Sequence, residues 1–390
     1  MIAIECFSCS GGMADGFRRA GVSFDFAFDK DPDACDSYEA NLGHRPIQMD
    51  VRDLVRMARA GWSPGAVDLI VADPPCTPWS RAGKRGGTAD PRDMLLQTVE
   101  LIRLLRPRAY LIGNVPGLED STQWPKLQAA LAPLREAGYC IADFAVLDAA
   151  GWGVPQHRVR PFWYGHLAGQ CIRWPQPTHG DASHPALPGL ALRPWVTCRD
   201  ALGHLEVKDL GRPARLRKRS QHSPQHGSVP DRPARVVGTS NLSDGNVLVI
   251  HEERSTLTSP DSPSRTVTRN THGVLLEREW PWDSPSTTVT QDERLPPPGH
   301  HPESGSILSQ PGAVVLSERA AALLQGFPDG WRFCGATKRA RWSQIGQAVP
   351  PALAEAVAHG VVEQMARTPG AHPPSRRKRA RCAPELRWVR

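Results

Sequence analysis

Val67-Asp68-Leu69-Ile70-Val71-Ala72 runs without a break into Asp73-Pro74-Pro75-Cys76 and on to Ser80. Six residues rich in β-branched and aliphatic side chains predict a buried strand, and the prolines that follow forbid its continuation. Two consecutive fixed φ angles make a stiff loop, which can hold one side chain at a constant angle. A thiol at the end of such a loop is a candidate nucleophile. Taken alone, Cys76 is equally well read as a buried structural cysteine.

Outward from this segment, residues 1 to 166 alternate short apolar strands with amphipathic helices. Strands are predicted at Ile2 to Phe7, Phe24 to Phe28, Ile47 to Val51, Val67 to Ala72 and Ala109 to Ile112. Helices are predicted at Met13 to Ala20, Pro32 to Leu42, Leu95 to Leu105 and Trp124 to Ala137. This rhythm is that of an α/β fold with an open, doubly wound, mostly parallel sheet. Beyond residue 167 the texture turns to Pro, His, Ser, Arg and Gly. Three related segments, Asp231 to Val237, Asp261 to Thr268 and Asp283 to Thr290, each read as a turn leading into a short strand. Their starts are spaced 30 and then 22 residues apart, too unequal for a solenoid. Residues 167–310 are therefore expected to form an inserted, irregular, β-rich domain. Helical patterns at Ser317 to Gln325 and Pro351 to Met365 suggest that 311–366 returns to the first domain, 1–166.

The chain has 390 residues and a formal charge of +7. From Arg367 onward eight Lys or Arg face one Glu, so the rest of the chain is neutral. The tail 367–390 is expected to be disordered, or else to be a phosphate-binding arm. A second cluster, Arg212, Arg215, Arg217, Lys218, Arg219, Arg232 and Arg235, is the better candidate for contact with nucleic acid. Nine cysteines without framework spacing, and no apolar leader or span, point to a reduced, cytoplasmic compartment and no membrane. His300 and His301 lack partners at zinc spacing, so no metal is expected.

The first strand ends in Phe7-Ser8-Cys9-Ser10-Gly11-Gly12, just before a helix. Glycines there allow a ligand to approach backbone amides at a helix N-terminus. Cys6 and Cys9 also make a CxxC, but their setting argues against a redox pair. Asp29 follows the second strand, where an acid can bind ribose hydroxyls. Asp50 follows the third, where a carboxylate could accept from an adenine amine. Each acid is also readable as a surface turn residue.

Together these segments resemble the DNA cytosine-5 methyltransferase family. The resemblance rests on Phe7-xxx-Gly11-Gly12, Pro74-Pro75-Cys76-xxx-Ser80 and Gln156-His157-Arg158-Val159-Arg160. It extends to Leu324-Gln325-Gly326-Phe327-Pro328 and to Gly346-Gln347-Ala348-Val349-Pro350-Pro351, with Gln347 where Asn is common. It implies a Rossmann-like methyltransferase fold with 167–310 as target-recognition domain, S-adenosylmethionine as cofactor and double-stranded DNA as partner. Phe7, Ser8, Ser10, Gly11, Gly12, Asp29, Asp50, Val51, Asp73, Pro75, Gln347, Ala348 and Val349 would hold the cofactor. Cys76, Arg158 and Arg160 would be catalytic, and Ser80, Arg81, Asn114 and Gln156 would meet the substrate. A monomer without a protein partner, in a bacterial or phage-infected cell, suffices for such chemistry.

One position departs from the family. Its Glu-Asn-Val motif, whose Glu binds the cytosine N3 and amino group, is Gly113-Asn114-Val115 here. The readings left open are a residue mutated to trap a complex, a weakened enzyme, a substitute acid such as Glu119 or a water, and a pocket enlarged for another base or a bulkier transferred group. A DNA-binding homologue without catalysis and an RNA cytosine methyltransferase are the competing classes, the long insert arguing against the last.

Overall fold

The computed structural model describes residues 1–75, 93–114, 123–140, 143–167, 172–180, 191–206, 209, 211–213, 247–249, 285–286, 313–367 and 387–388. Cys76, Ser80, Arg81, Glu119, two of the three recurring segments and most of the basic cluster lie outside them, as does most of the third segment.

The central sheet is built from β1 (Ala3–Cys6), β2 (Phe26–Asp29), β3 (Ile47–Gln48), β4 (Leu69–Ala72), β5 (Ala109–Gly113), β6 (Asp143–Asp148) and β7 (Val159–His166). Its spatial order is β6-β7-β5-β4-β1-β2-β3, with the pair Arg387–Trp388 beside β6. β1, β4 and β5 are wholly buried, as their unbroken apolar runs require of strands covered on both faces. Only β7 runs antiparallel, wedged between β5 and β6.

Helices α1 (Gly12–Arg19), α2 (Pro32–Leu42), α3 (Val51–Arg59), α4 (Leu95–Leu105) and α5 (Trp124–Glu136) follow successive strands. Pro32 at the start of α2, and Asp31 accepting from the Asp33 amide, fix that helix's beginning. α3 corrects the sequence reading, which carried a strand to Val51. Asp50 caps this helix, and Val51, Leu54 and Val55 bury one face of it at helical spacing.

The short α6 (Cys198–Leu202) precedes the fragments β10 (Gly211–Pro213), β11 (Val247–Val249) and β12 (Ala313–Leu316), which pair antiparallel. Between α6 and β7 lie the two-residue strands β8 (His179–Gly180) and β9 (Arg193–Pro194), parallel to each other. After β12 come α7 (Glu318–Leu324), α8 (Lys338–Gln347) and α9 (Pro351–Ala366). Two cores cover opposite faces of the sheet. One joins Phe17, Leu69, Leu111 and Tyr164 to Leu353, Val357 and Val361 of α9. The other joins Ile4, Ile70 and Ile112 to α3, α4 and α5.

The seam between α1 and α9 depends on one missing side chain. A Cβ at Gly16 would lie 2.5 Å from Ala354 Cβ, from the Glu355 amide nitrogen and from the Pro351 carbonyl oxygen. Two of those three atoms are backbone and cannot swing aside. Gly16→Ala should therefore cost about 1–3 kcal/mol through overpacking, despite alanine's better helix propensity. Urea unfolding checks this; a midpoint at or above that of the unsubstituted protein would contradict the packing described.

Candidate active site at the sheet's C-terminal edge

In open α/β sheets the strand ends and the turns after them form the natural ligand crevice. Here those turns bring together residues that are far apart in the chain. After β1, Phe7 and Cys9 take left-handed backbone angles, φ 61° and 48°, and Gly11 follows at 91°. Such conformations are costly for side-chain-bearing residues and cluster at ligand clamps. Gly12 is required by a close approach: a Cβ there would stand 2.4 Å from the Val349 carbonyl oxygen. The glycine turn thus packs directly on the Gln347–Val349 segment.

Asp29 braces this turn. Its Oδ2 accepts from the Cys9 amide at 2.8 Å and its Oδ1 from the Asp31 amide at 2.9 Å. Burial nevertheless raises its pKa. Beneath the turn, Glu5 is buried with neither carboxylate oxygen in hydrogen-bond geometry, and burial holds it well above the usual carboxylate range. The Ser8 and Ser10 hydroxyls are also buried without hydrogen-bond partners among the described residues. Cys9 is pushed up to about 12 by burial, and Cys6 is raised as well, so neither is a reactive thiolate.

These features suit the expected cofactor. Hydroxyls without partners among the described residues and an uncapped helix N-terminus offer hydrogen bonds to a nucleoside or carboxylate, and Asp29 stands at the same turn as a further acceptor. Asp50 is committed differently. Both its oxygens bind the Arg52 guanidinium, at 2.9 and 2.7 Å, which holds its pKa down at about 2.

The opposite side of the crevice is built by β7 and the loop before it. Asp148, at the end of β6, accepts from the Arg158 amide at 2.9 Å and lies 2.7 Å from His157 Nδ1. This clamp aims Arg158 inward. The Arg158 and Arg160 side chains are almost fully buried. Arg158 donates to the Gly346 carbonyl at 2.7 Å and Arg160 to that of Gln347 at 3.4 Å. Gln156 donates to Gln325 Oε1 at 2.7 Å, and Gln325 in turn donates to the Ala348 carbonyl at 2.7 Å. Three separate motifs of the sequence are therefore one hydrogen-bonded block. Gln156, expected at the substrate, is spent on this block.

Between the two sides lie the ends of β4 and β5. Asn114 donates to the Pro74 carbonyl at 3.3 Å, tying the proline loop to β5. Asp73, grouped above with the cofactor residues, leans towards Gly113: its Oδ1 is 3.2 Å from where a Cβ at 113 would sit. Burial raises the Asp73 pKa, against the opposing pull of Arg160 and Arg158. Sequence reading missed this proximity, and β6 and β7 as strands. The Asp50–Val51–Leu54–Val55 pattern would have revealed α3. No helix among the described residues is long and apolar enough to cross a membrane, and they contain no metal-binding cluster.

The chain is similar to proteins of known family. The family model for C-5 cytosine-specific DNA methylase matches residues 1–363. The type II methyltransferase M.AgeI of Thalassovita gelatinovora is 28% identical, over 93% of this chain and 99% of that one. M1.HphI of Haemophilus parahaemolyticus is 29% identical, over 92% and 86%. M.AquIA of Picosynechococcus is 35% identical over 52% of this chain and 88% of its own. Among solved structures, a Spodoptera frugiperda DNMT2 mutant superposes with a TM-score of 0.53 at 15% identity, covering 91% of this chain and 98% of that one. Dnmt2 methyltransferase of S. pombe gives 0.51 at 17%, covering 95% and 99%. These two show the fold alone. With its glycine turn, buried arginine pair and returning C-terminal helices matched by one family model along nearly the whole sequence, the chain belongs to the C-5 cytosine-specific DNA methylases, enzymes whose methyl donor is S-adenosylmethionine.

Proposed function

We propose that this protein methylates C5 of a cytosine flipped out of double-stranded DNA, through a covalent bond between Cys76 and C6. The observation that carries the reading is the convergence of Arg158 and Arg160 with Gly346 and Gln347 beside Asp73, at the strand end that leads into Cys76. Buried cations next to that loop favour a thiolate. They also offer donors to the rim of a pyrimidine: Arg160 keeps its buried Nε unpaired among the described residues, and we assign it to the base O2.

Cytosine C5 is a weak nucleophile until a group adds to C6. The Cys76 thiolate forms the S–C6 bond, and the displaced π electrons raise the density at C5. S-adenosylmethionine supplies the electrophilic methyl group when bound. Loss of the C5 proton and elimination of the thiol then restore the aromatic ring and the free cysteine. C6 is inaccessible in a stacked duplex, so the base must leave the helix. Ser80 and Arg81, which follow Cys76 in sequence, and Asn114, which holds Pro74, serve the substrate side.

The cofactor lies on the other side of the crevice. The Phe7–Gly12 turn receives it with the Ser8 and Ser10 hydroxyls, Asp29 binds the ribose, Asp50 and Val51 border the adenine, and Pro75 with Gln347–Val349 closes the site. Residues 167–310 read the target sequence, and the enzyme works as a monomer in the cytoplasm of a bacterial or phage-infected cell.

Two outcomes are expected. Nucleoside mass spectrometry after incubation with mixed-sequence duplex DNA should find 5-methylcytosine, which Cys76→Ala abolishes while still binding S-adenosylmethionine; product formation by that variant would refute the covalent route. Asp29→Ala should weaken S-adenosylmethionine binding by about 10- to 100-fold, the scale of one charge-assisted hydrogen-bond set. Calorimetric titration reads this directly, and unchanged affinity would remove Asp29 from the cofactor site.

A further inference from the structure

The family's acid is absent at Gly113, yet a carboxyl group stands in tight contact with the point where its side chain would begin. β4 and β5 are parallel, with Ala72 beside Ile112, so the next residues on each strand, Asp73 and Gly113, are lateral neighbours where the sheet ends. A Cβ built on Gly113 would lie 3.2 Å from Asp73 Oδ1 and 3.2 Å from Phe162 Cε1. A side chain at residue 113 would thus start in tight contact with the Asp73 carboxyl. We propose that Asp73 is the catalytic acid of this enzyme, donating its proton to N3 of the target cytosine from the strand next to the one that carries the acid elsewhere in the family.

The surroundings fit that role. Asp73 keeps some exposure at the end of its strand. No described residue hydrogen-bonds its carboxyl. Arg160 and Arg158 are close enough for their charges to act on it, which places it on the substrate side of the crevice. Burial outweighs those charges and favours the protonated acid. As the S–C6 bond forms, the C5=C6 pair shifts to C4–C5 and the C4=N3 pair moves onto N3, which takes the Asp73 proton. When C5 uses the C4=C5 pair to bond the methyl group, C4=N3 re-forms and the proton returns to the carboxylate. No further reactant is needed.

The proposal rests on the methyltransferase reading and makes a counterintuitive demand: restoring Glu at 113 should not help. Its Cβ would crowd Asp73 and Phe162, and two carboxyl groups would share one site, which is unfavourable. The test compares the full-length protein with Asp73→Asn, Gly113→Glu and the double variant Asp73→Gly/Gly113→Glu. Single-turnover formation of 5-methylcytosine and the Kd for S-adenosylmethionine are measured for each. Asp73→Asn should lose about 10²- to 10³-fold in rate with its cofactor affinity retained, which also shows that it is folded. Gly113→Glu should be slower than the unsubstituted protein, and the double variant, with one acid on the family's strand, should recover much of the rate.

Near-normal turnover by Asp73→Asn, a loss confined to cofactor affinity, or a gain from Gly113→Glu alone would each overturn the assignment while leaving the methyltransferase standing. Absence of 5-methylcytosine from all four proteins would sink the enzyme reading and the assignment with it.

Discussion

Two guanidinium groups buried at the start of β7 cannot be left without partners, because an unpaired buried charge costs several kcal/mol. Arg158 and Arg160 find theirs in the carbonyls of Gly346 and Gln347, almost two hundred residues away. This requirement brings the C-terminal helices back onto the sheet and fixes the angle at which 346–349 meets the glycine turn. Gln156, Gln325 and Ala348 extend the same block. Gly12 and Gly16 are the clearances that let it close. The two cations proposed to face the pyrimidine are also ties across the crevice.

Much of this was legible in the chain itself. The unbroken apolar runs Val67 to Ala72 and Ala109 to Ile112 could only be covered strands, and Pro32 and the glycine turn marked helix starts. β7 was not legible, because Val159–His166 contains Pro161 and mixes Arg, Gly and His with aromatics. It becomes a strand through its pairing on both sides, with β5 and β6. α3 was missed because Val51 extends the preceding apolar run, so the Asp50 cap was read as part of a strand.

The site shows the same division. Spacing along the chain nominated Cys76, Arg158, Arg160 and the glycine turn, because each sits in a compact local motif. The contact between Asp73 and the Gly113 side-chain direction has no local signature. It follows from the register of β4 against β5, forty residues apart, and register is a property of the folded sheet. The absent Glu, met in sequence as a departure with several readings, is on the proposal above a change in which strand delivers the acid. Asp50 was likewise named from its position, and only the fold shows both its oxygens engaged with Arg52.

The most direct measurement is a crystal structure of the enzyme trapped on duplex DNA carrying 5-fluorocytosine at its target, which blocks loss of the C5 substituent and arrests the covalent adduct. The account predicts a flipped base bonded through C6 to Cys76, with an Asp73 carboxyl oxygen within hydrogen-bond distance of N3 and Arg160 at O2. A trapped base whose N3 meets some other donor, with Asp73 turned towards the cofactor, would contradict it.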